Sequence, residues 1–281
     1  YALWIRQRLR NLGRGESAEA MYVASGRVSM KFSRILREET RDLGIDVELR
    51  AVGERGDLLT YPSRLDGRWI IYYTPKLLAP KYARYARQVI RHEICHLLDL
   101  EEGLYELYMK GVGDEEIDEC VECVYLAYTD LLACERYLET YGDYDKYLKL
   151  AKKCLRDLAR EDEADLLLKS LKYAVAVLLS AERGVSGSSL RGLPRELRES
   201  WRVFETVYGD LRSIARAPLT WDARAEALTT EALMLLAYLK SIGGSRVEER
   251  DALLNALYVL ESTDSYSPLV GGVWLERFAE R

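Results

Sequence analysis

The stretch "VIRHEICHLLDL", residues 89–100, contains both histidines of the 281-residue chain. His92 and His96 are four positions apart, and Glu93 directly follows the first. Residues at positions i and i+4 share one face of a helix, so both imidazoles can face one metal ion. Glu93 lies about 100° round the helix, close enough to reach a water molecule on that metal. Behind these three, an apolar stripe would anchor the helix in a core: Ile90, Ile94, Leu97 and Leu98.

This spacing is rare by chance. Two histidines placed at random in the chain, with glutamate after the first, would meet it roughly once in a thousand arrangements. The competing interpretation is a solvent-facing histidine pair that has no role in metal binding. The composition therefore favours a metal site on the helix.

The overall composition indicates a globular protein with a large core, in one or two domains. The chain has a net charge of −5, and 48% of its residues are hydrophobic. No apolar run reaches the 18 or more residues of a membrane span, and no signal peptide is visible, so we expect a cytoplasmic protein without membrane contacts. The mild acidity, with no concentrated basic stripe, argues against nucleic acid as a partner.

The amide and cysteine content adds two expectations. Only two glutamines and two asparagines occur beside 41 basic and 46 acidic residues, a composition typical of thermophiles. Five cysteines are present, and one closely spaced pair, Cys120 and Cys123, has a metal-like spacing. It lacks a second cysteine pair, so small apolar residues on a packed helix are the favoured interpretation.

The hydrophobic pattern predicts an α+β fold that is mostly helical. Residues 45–51 alternate apolar and polar side chains, and residues 68–74 are rich in aromatic and β-branched residues, as strands are. A turn-rich stretch, residues 53–67, separates them. A helix should run from Pro80 to just before Gly103. Further helices are predicted over residues 16–43, 115–141, 145–183, 195–216, 221–241 and 246–261, with a break at 183–194.

Residues 68–135 resemble the zincin metallopeptidases, through the strand "RWIIYYT", the HExxH helix and the acidic helix that follows. The resemblance implies a zinc ion held by His92 and His96, and Glu93 as the general base that acts on a zinc-bound water. It also implies an edge strand above the motif helix that binds an extended peptide or protein substrate. A zincin-like domain would then cover residues 1–142, and residues 143–281 would form an all-helical region.

The third zinc ligand is open among several acids. In the metzincin-like arrangement it would be Glu102, but a glycine is needed where this chain has Asp99. The gluzincin-like arrangement takes an acid from the following helix, where Glu119, Glu122 and Asp130 share one face.

We favour Asp130 as the third ligand. It is followed three residues later by Ala133, which resembles the acid-x-x-Ala pattern of several gluzincin-like families, although they more commonly use glutamate. A small residue one turn on would let the two helices approach closely. Glu122 and Glu119 remain alternatives, and any of these acids could instead form a surface salt bridge. Asp99, on the histidine face, could hold an imidazole in one tautomer.

Two functions remain open. The first is a zinc-dependent hydrolase, most simply a metallopeptidase, in which three protein ligands leave the fourth metal position to water. The second is a helical scaffold or interaction protein with a structural or vestigial metal site, which would have four protein ligands or none.

Overall fold

The computed structural model describes residues 31–53, 59–107, 109, 113–159, 166–188, 190 and 192–243. Within them the fold is α+β and mostly helical, as predicted, and it contains a three-stranded sheet. The helix predicted over residues 246–261 and the part before residue 31 of the helix predicted over 16–43 lie outside the described residues.

The helices and strands follow one another along the chain in the following order. Helix α1 is described over residues 31–40. The strands are β1 Val47–Ala51, β2 Thr60–Leu65 and β3 Arg68–Tyr73. The later helices are α2 Pro75–Leu78, α3 Pro80–Ala83, α4 Ala86–Glu101, α5 Glu115–Thr140, α6 Tyr144–Leu158, α7 Leu166–Glu182, α8 Arg195–Glu199, α9 Trp201–Arg216 and α10 Trp221–Gly243.

The sheet has the order β1-β3-β2, with β1 parallel and β2 antiparallel to β3. Both strands predicted from the sequence are present, but β2 lies in the stretch that we expected to be only turns. Asp66 and Gly67 join β2 to β3, and both have positive φ, as a two-residue hairpin of the primed type requires. Pro62 weakened the strand pattern, yet it is tolerated because β2 is at the edge of the sheet.

The predicted helix around the motif is interrupted near its start. Pro75 and Pro80 each occupy the first turn of a short helix, α2 and α3, a position where the missing N–H of proline costs no hydrogen bond. The motif helix α4 then begins at Ala86 and ends before Gly103, as predicted. Gly103 takes the left-handed conformation, with φ +70°, that commonly follows a helix.

Most later helices match the sequence pattern. Helices α5 and α10 confirm the predictions over 115–141 and 221–241. The stretch 145–183 contains two helices, α6 and α7, and the residues from 160 to 165 between them are outside the described part. The stretch 195–216 likewise divides at Ser200 into α8 and α9.

The chain divides into two compact units. The first contains the described residues before 108 and those from Arg136 to Leu150, and the second contains the other described residues. The prediction of domains at 1–142 and 143–281 stays a prediction. Within the described residues, no helix combines the length and apolarity that crossing a membrane requires.

Each unit has its own apolar core. In the first, the central strand β3 contributes Ile70 and Ile71, and α4 contributes Ile90, Ile94 and Leu97. In the second, the buried guanidinium of Arg212 pairs with the carboxylates of Glu135 and Glu182. The buried apolar side chains of this unit include Phe204, Val207, Leu211, Leu228 and Leu235.

Candidate metal centre

The two histidines face each other on α4, as their spacing predicts. Both are buried, with 4% of His92 and 8% of His96 exposed. Their Nε2 atoms are 3.1 Å apart, and the rings meet edge to face with centroids at 4.6 Å. Two nitrogens bound to one tetrahedral zinc ion at its usual bond length would be about 3.3 Å apart. The pair therefore already has nearly the separation that a shared zinc ion requires.

Asp130 on α5 completes a group of three potential ligands. One carboxylate oxygen of Asp130 and one ring nitrogen of each histidine all lie within 4.8 Å of one another. Asp130 is half-buried. The two alternative acids, Glu119 and Glu122, belong to no such group among the described residues.

Tyr105 orients the imidazole of His96, a role that the sequence did not reveal. Its hydroxyl lies 2.9 Å from Nδ1 of His96 and donates to the backbone carbonyl of His96 at 3.1 Å. The hydroxyl has a single proton, so while it donates to the carbonyl it must accept from Nδ1–H. That tautomer leaves the lone pair of His96 on Nε2, the atom that faces His92.

The ring of His92 is held by Tyr147 on α6. The two rings stack with centroids 4.5 Å apart and an angle of 25° between their planes. Tyr147 in turn stacks on Tyr137, at a centroid distance of 5.6 Å. Because these side chains are buried, they restrict the rotation of His92.

Asp99 does not have the predicted contact with an imidazole. Its Oδ1 accepts from Nε of Arg136, and its Oδ2 has no hydrogen-bond partner among the described groups. Burial raises the pKa of Asp99, although the Arg136 guanidinium opposes that shift. Glu102, the metzincin-like candidate, also binds Arg136, which lowers the pKa of its carboxyl.

Glu93, the predicted general base, is only 5% exposed. The hydroxyl of Thr60, at the start of β2, donates to its Oε1 over 2.6 Å. No described group hydrogen-bonds to the other oxygen, Oε2, which is buried. The carboxylate is thus anchored at one oxygen and has its second oxygen available to a small polar molecule.

Polar and charged side chains anchor α4 to the neighbouring segments. Arg91 binds Glu39 of α1 and Asp143 just before α6, at 2.8 and 2.9 Å, and Gln88 also donates to Asp143. Burial lowers the pKa of Arg91, but its hydrogen bonds and the two carboxylates outweigh this and raise it. Burial raises the pKa of Asp143, but hydrogen bonds from Gln88 and Tyr137 and the charge of Arg91 lower it overall.

The cysteines take no part in the three-ligand group. All five are free thiols, and Cys95, beside the motif histidines, is buried. Burial raises the pKa of Cys95, which favours the protonated thiol in the metal-free protein. Cys120 is also buried and donates to the carbonyl of Ala232. Cys120 thus fits the interpretation of small residues on a packed helix.

The donor set therefore suits a zinc ion: two imidazoles near tetrahedral separation, one carboxylate, and a glutamate beside them. Searches against protein-family models, curated proteins and solved structures found no match to this chain. The likeness to zincins stays a prediction that rests on the motif and its surroundings.

Proposed function

We propose that this protein is a zinc-dependent hydrolase, most simply a metallopeptidase. The observation that carries the proposal is the arrangement on α4. There the Nε2 atoms of His92 and His96 face each other at 3.1 Å, and the next residue, Glu93, has a buried oxygen without a partner among the described groups. Asp130 supplies the third donor.

Each residue has a definite task in this proposal. His92, His96 and Asp130 would hold zinc, which when bound lowers the pKa of a water molecule toward about 7 and polarises a carbonyl group. Glu93 would accept a proton from the attacking water at Oε2 and return it to the departing amine nitrogen. Tyr105 and Tyr147 would keep the imidazoles oriented.

We infer the substrate class from β2, the strand that contacts the proposed general base Glu93. β2 is at the edge of the described sheet, so no described strand pairs with its outer side, and an extended peptide could add there. Its first residue, Thr60, contacts Glu93, which places the start of this edge next to the proposed base. A peptide or protein substrate that added to β2 would therefore pass close to the reacting groups.

The first experiment measures zinc and peptide cleavage on the purified full chain. We expect about one zinc per chain, lost in His92→Ala and His96→Ala, and cleavage of a peptide library by the wild-type protein. Glu93→Gln should retain zinc and lose cleavage. Glu101→Gln is the matched control, because this glutamate is also on α4 but accepts a hydrogen bond from Trp69 instead.

Several results would overturn the proposal. Wild-type protein without zinc, zinc retained undiminished in both histidine variants, or full cleavage by Glu93→Gln would each contradict it. X-ray absorption separates the two functions still open: a hydrolase shows three protein ligands and one further oxygen, and a scaffold shows four protein ligands or none.

A further inference from the structure

We propose that Thr60 is a positioning residue of the same hydrolytic site. Its hydroxyl would determine which oxygen of Glu93 faces the reacting water. This inference rests on the proposed function, and it adds a residue that the HExxH motif does not contain.

The geometry of the contact supports a fixed orientation. Thr60 and Glu93 are both buried, and 9% of Thr60 is exposed. The backbone of Thr60 is held by its pairing with Tyr73 on β3, and Glu93 is in the interior of α4. Threonine is branched at Cβ, so its χ1 rotamers are restricted. Donor and acceptor are therefore both held by regular structure, and the bond between them is short.

The hydrogen bond from Thr60 matters because it makes the two oxygens of the Glu93 carboxylate different. A carboxylate has two oxygens with similar acceptor capacity, and rotation about its last torsion exchanges them easily. The Thr60 hydroxyl binds Oε1, and among the described groups Oε2 is left without a donor. The bond thus selects Oε2 as the proton acceptor and stops the carboxylate from turning.

If Thr60 had only a structural role, the loss of its hydroxyl would have a different effect. A buried hydrogen bond between a strand and a helix stabilises the fold, and its loss would lower the melting temperature without a specific loss of turnover. A misplaced catalytic group, in contrast, lowers kcat by about 10-fold to 100-fold even when the displacement is only about 1 Å. KM and zinc affinity would stay nearly constant, because Thr60 is not among the three candidate metal ligands.

The test compares Thr60→Val, which keeps the shape but lacks the hydroxyl, with Thr60→Ser, which keeps the hydroxyl. The readouts are kcat and KM on a peptide cleaved by the wild-type chain, the zinc dissociation constant from chelator competition, and the melting temperature. The matched control is Thr74→Val. Thr74 is also buried, and its hydroxyl donates to the carbonyl of Leu59 over 3.4 Å rather than to Glu93.

We expect kcat of Thr60→Val to fall about 10-fold to 100-fold, with KM and zinc affinity changed by less than about threefold. Thr60→Ser should restore most of kcat, and Thr74→Val should leave it unchanged. Wild-type kcat in Thr60→Val, or an equal loss in Thr60→Ser, overturns the inference.

Crystal structures of wild-type protein and Thr60→Val give a readout that does not depend on activity. The carboxylate of Glu93 should leave its wild-type orientation in the valine variant, and an unchanged orientation overturns the role of Thr60. The two failures are distinguishable. A wild-type chain that neither binds zinc nor cleaves peptides contradicts the proposed function. A fully active Thr60→Val contradicts only the role of Thr60.

Discussion

Replacing Tyr105 with phenylalanine should weaken zinc binding while the ring, and most of the packing, stays in place. In the structure, the hydroxyl donates to the backbone carbonyl of His96 and lies 2.9 Å from Nδ1 of the same residue, so it is placed to accept from Nδ1–H. It thereby favours the tautomer in which Nε2 carries the lone pair. Without the hydroxyl, His96 loses that acceptor and can move its proton to Nε2, the atom that must be free to bind zinc.

The expected loss of zinc affinity in Tyr105→Phe follows from the free-energy cost of a buried donor that loses its hydrogen-bond partner. An unsatisfied buried N–H costs about 1–3 kcal/mol, and a change of tautomer lets the free protein avoid part of that cost. Zinc binding must then restore the less favoured tautomer, at a cost of about 1–2 kcal/mol. This corresponds to a zinc affinity about 5-fold to 30-fold weaker, since 1.4 kcal/mol is a factor of ten. Losses of similar size are typical when a hydrogen bond to a metal-binding histidine is removed.

The assay is a chelator-competition measurement of the zinc dissociation constant near neutral pH, with the melting temperature of the metal-free protein recorded in parallel. The control is Tyr137→Phe, which also removes a buried hydroxyl, one that donates to Oδ1 of Asp143 at 2.9 Å. That variant should lose stability but keep its zinc affinity. The reasoning is refuted by wild-type zinc affinity in Tyr105→Phe, or by an equal loss of affinity in the control.

Two further predictions concern acids near the candidate site. Asp130→Asn should bind zinc on the order of 100-fold more weakly by chelator competition, because one of a few ligands supplies about 3 kcal/mol of the 10–16 kcal/mol typical of protein zinc sites. Glu122→Gln, on the same helix, should bind like wild type, and the reverse order would reassign the third ligand. Asp143 has a lowered pKa, so its stabilising contribution is present above its ordinary pKa and is lost as pH falls below about 4. Denaturant unfolding from neutral pH to pH 2–3 should therefore show a shallower acid loss for Asp143→Asn than for wild type, and equal slopes would contradict this.

Helical periodicity is the reason that the centre of the site could be predicted. Positions four apart on one helix must share a face, so the HExxH spacing placed His92 and His96 together before any tertiary contact was known. The same periodicity put Asp130 on one face of α5, and the small Ala133 favoured it over Glu122. One potential ligand atom from each of the three residues lies within 4.8 Å of the other two, and their role as ligands stays a prediction. Helical spacing depends only on residues that are close together in the chain, so it can be recognised in a single sequence.

The residues that orient the site could not be predicted, because their positions depend on contacts distant in sequence. Thr60 and Glu93 are 33 positions apart, and no periodic pattern connects a strand residue with a helix residue. Tyr105 is one of 20 tyrosines and follows the end of α4, where the chain direction is set by packing. One signal was available in the sequence. Asp66-Gly67 before the strand "RWIIYY" is a hairpin pattern, and it would have indicated β2 and the edge at which Thr60 is located.

The burial of the two histidines is itself an argument for a ligand. Two neutral imidazoles with facing Nε2 atoms can share one N–H···N bond, whereas two protonated ones repel each other. Glu93 adds a buried carboxylate oxygen that no described group satisfies. An unsatisfied group of this kind costs free energy, and native proteins concentrate such costs at functional sites. A cation bound by the lone pairs of both imidazoles would replace that bond, and a polar molecule at Oε2 would give the carboxylate oxygen a partner.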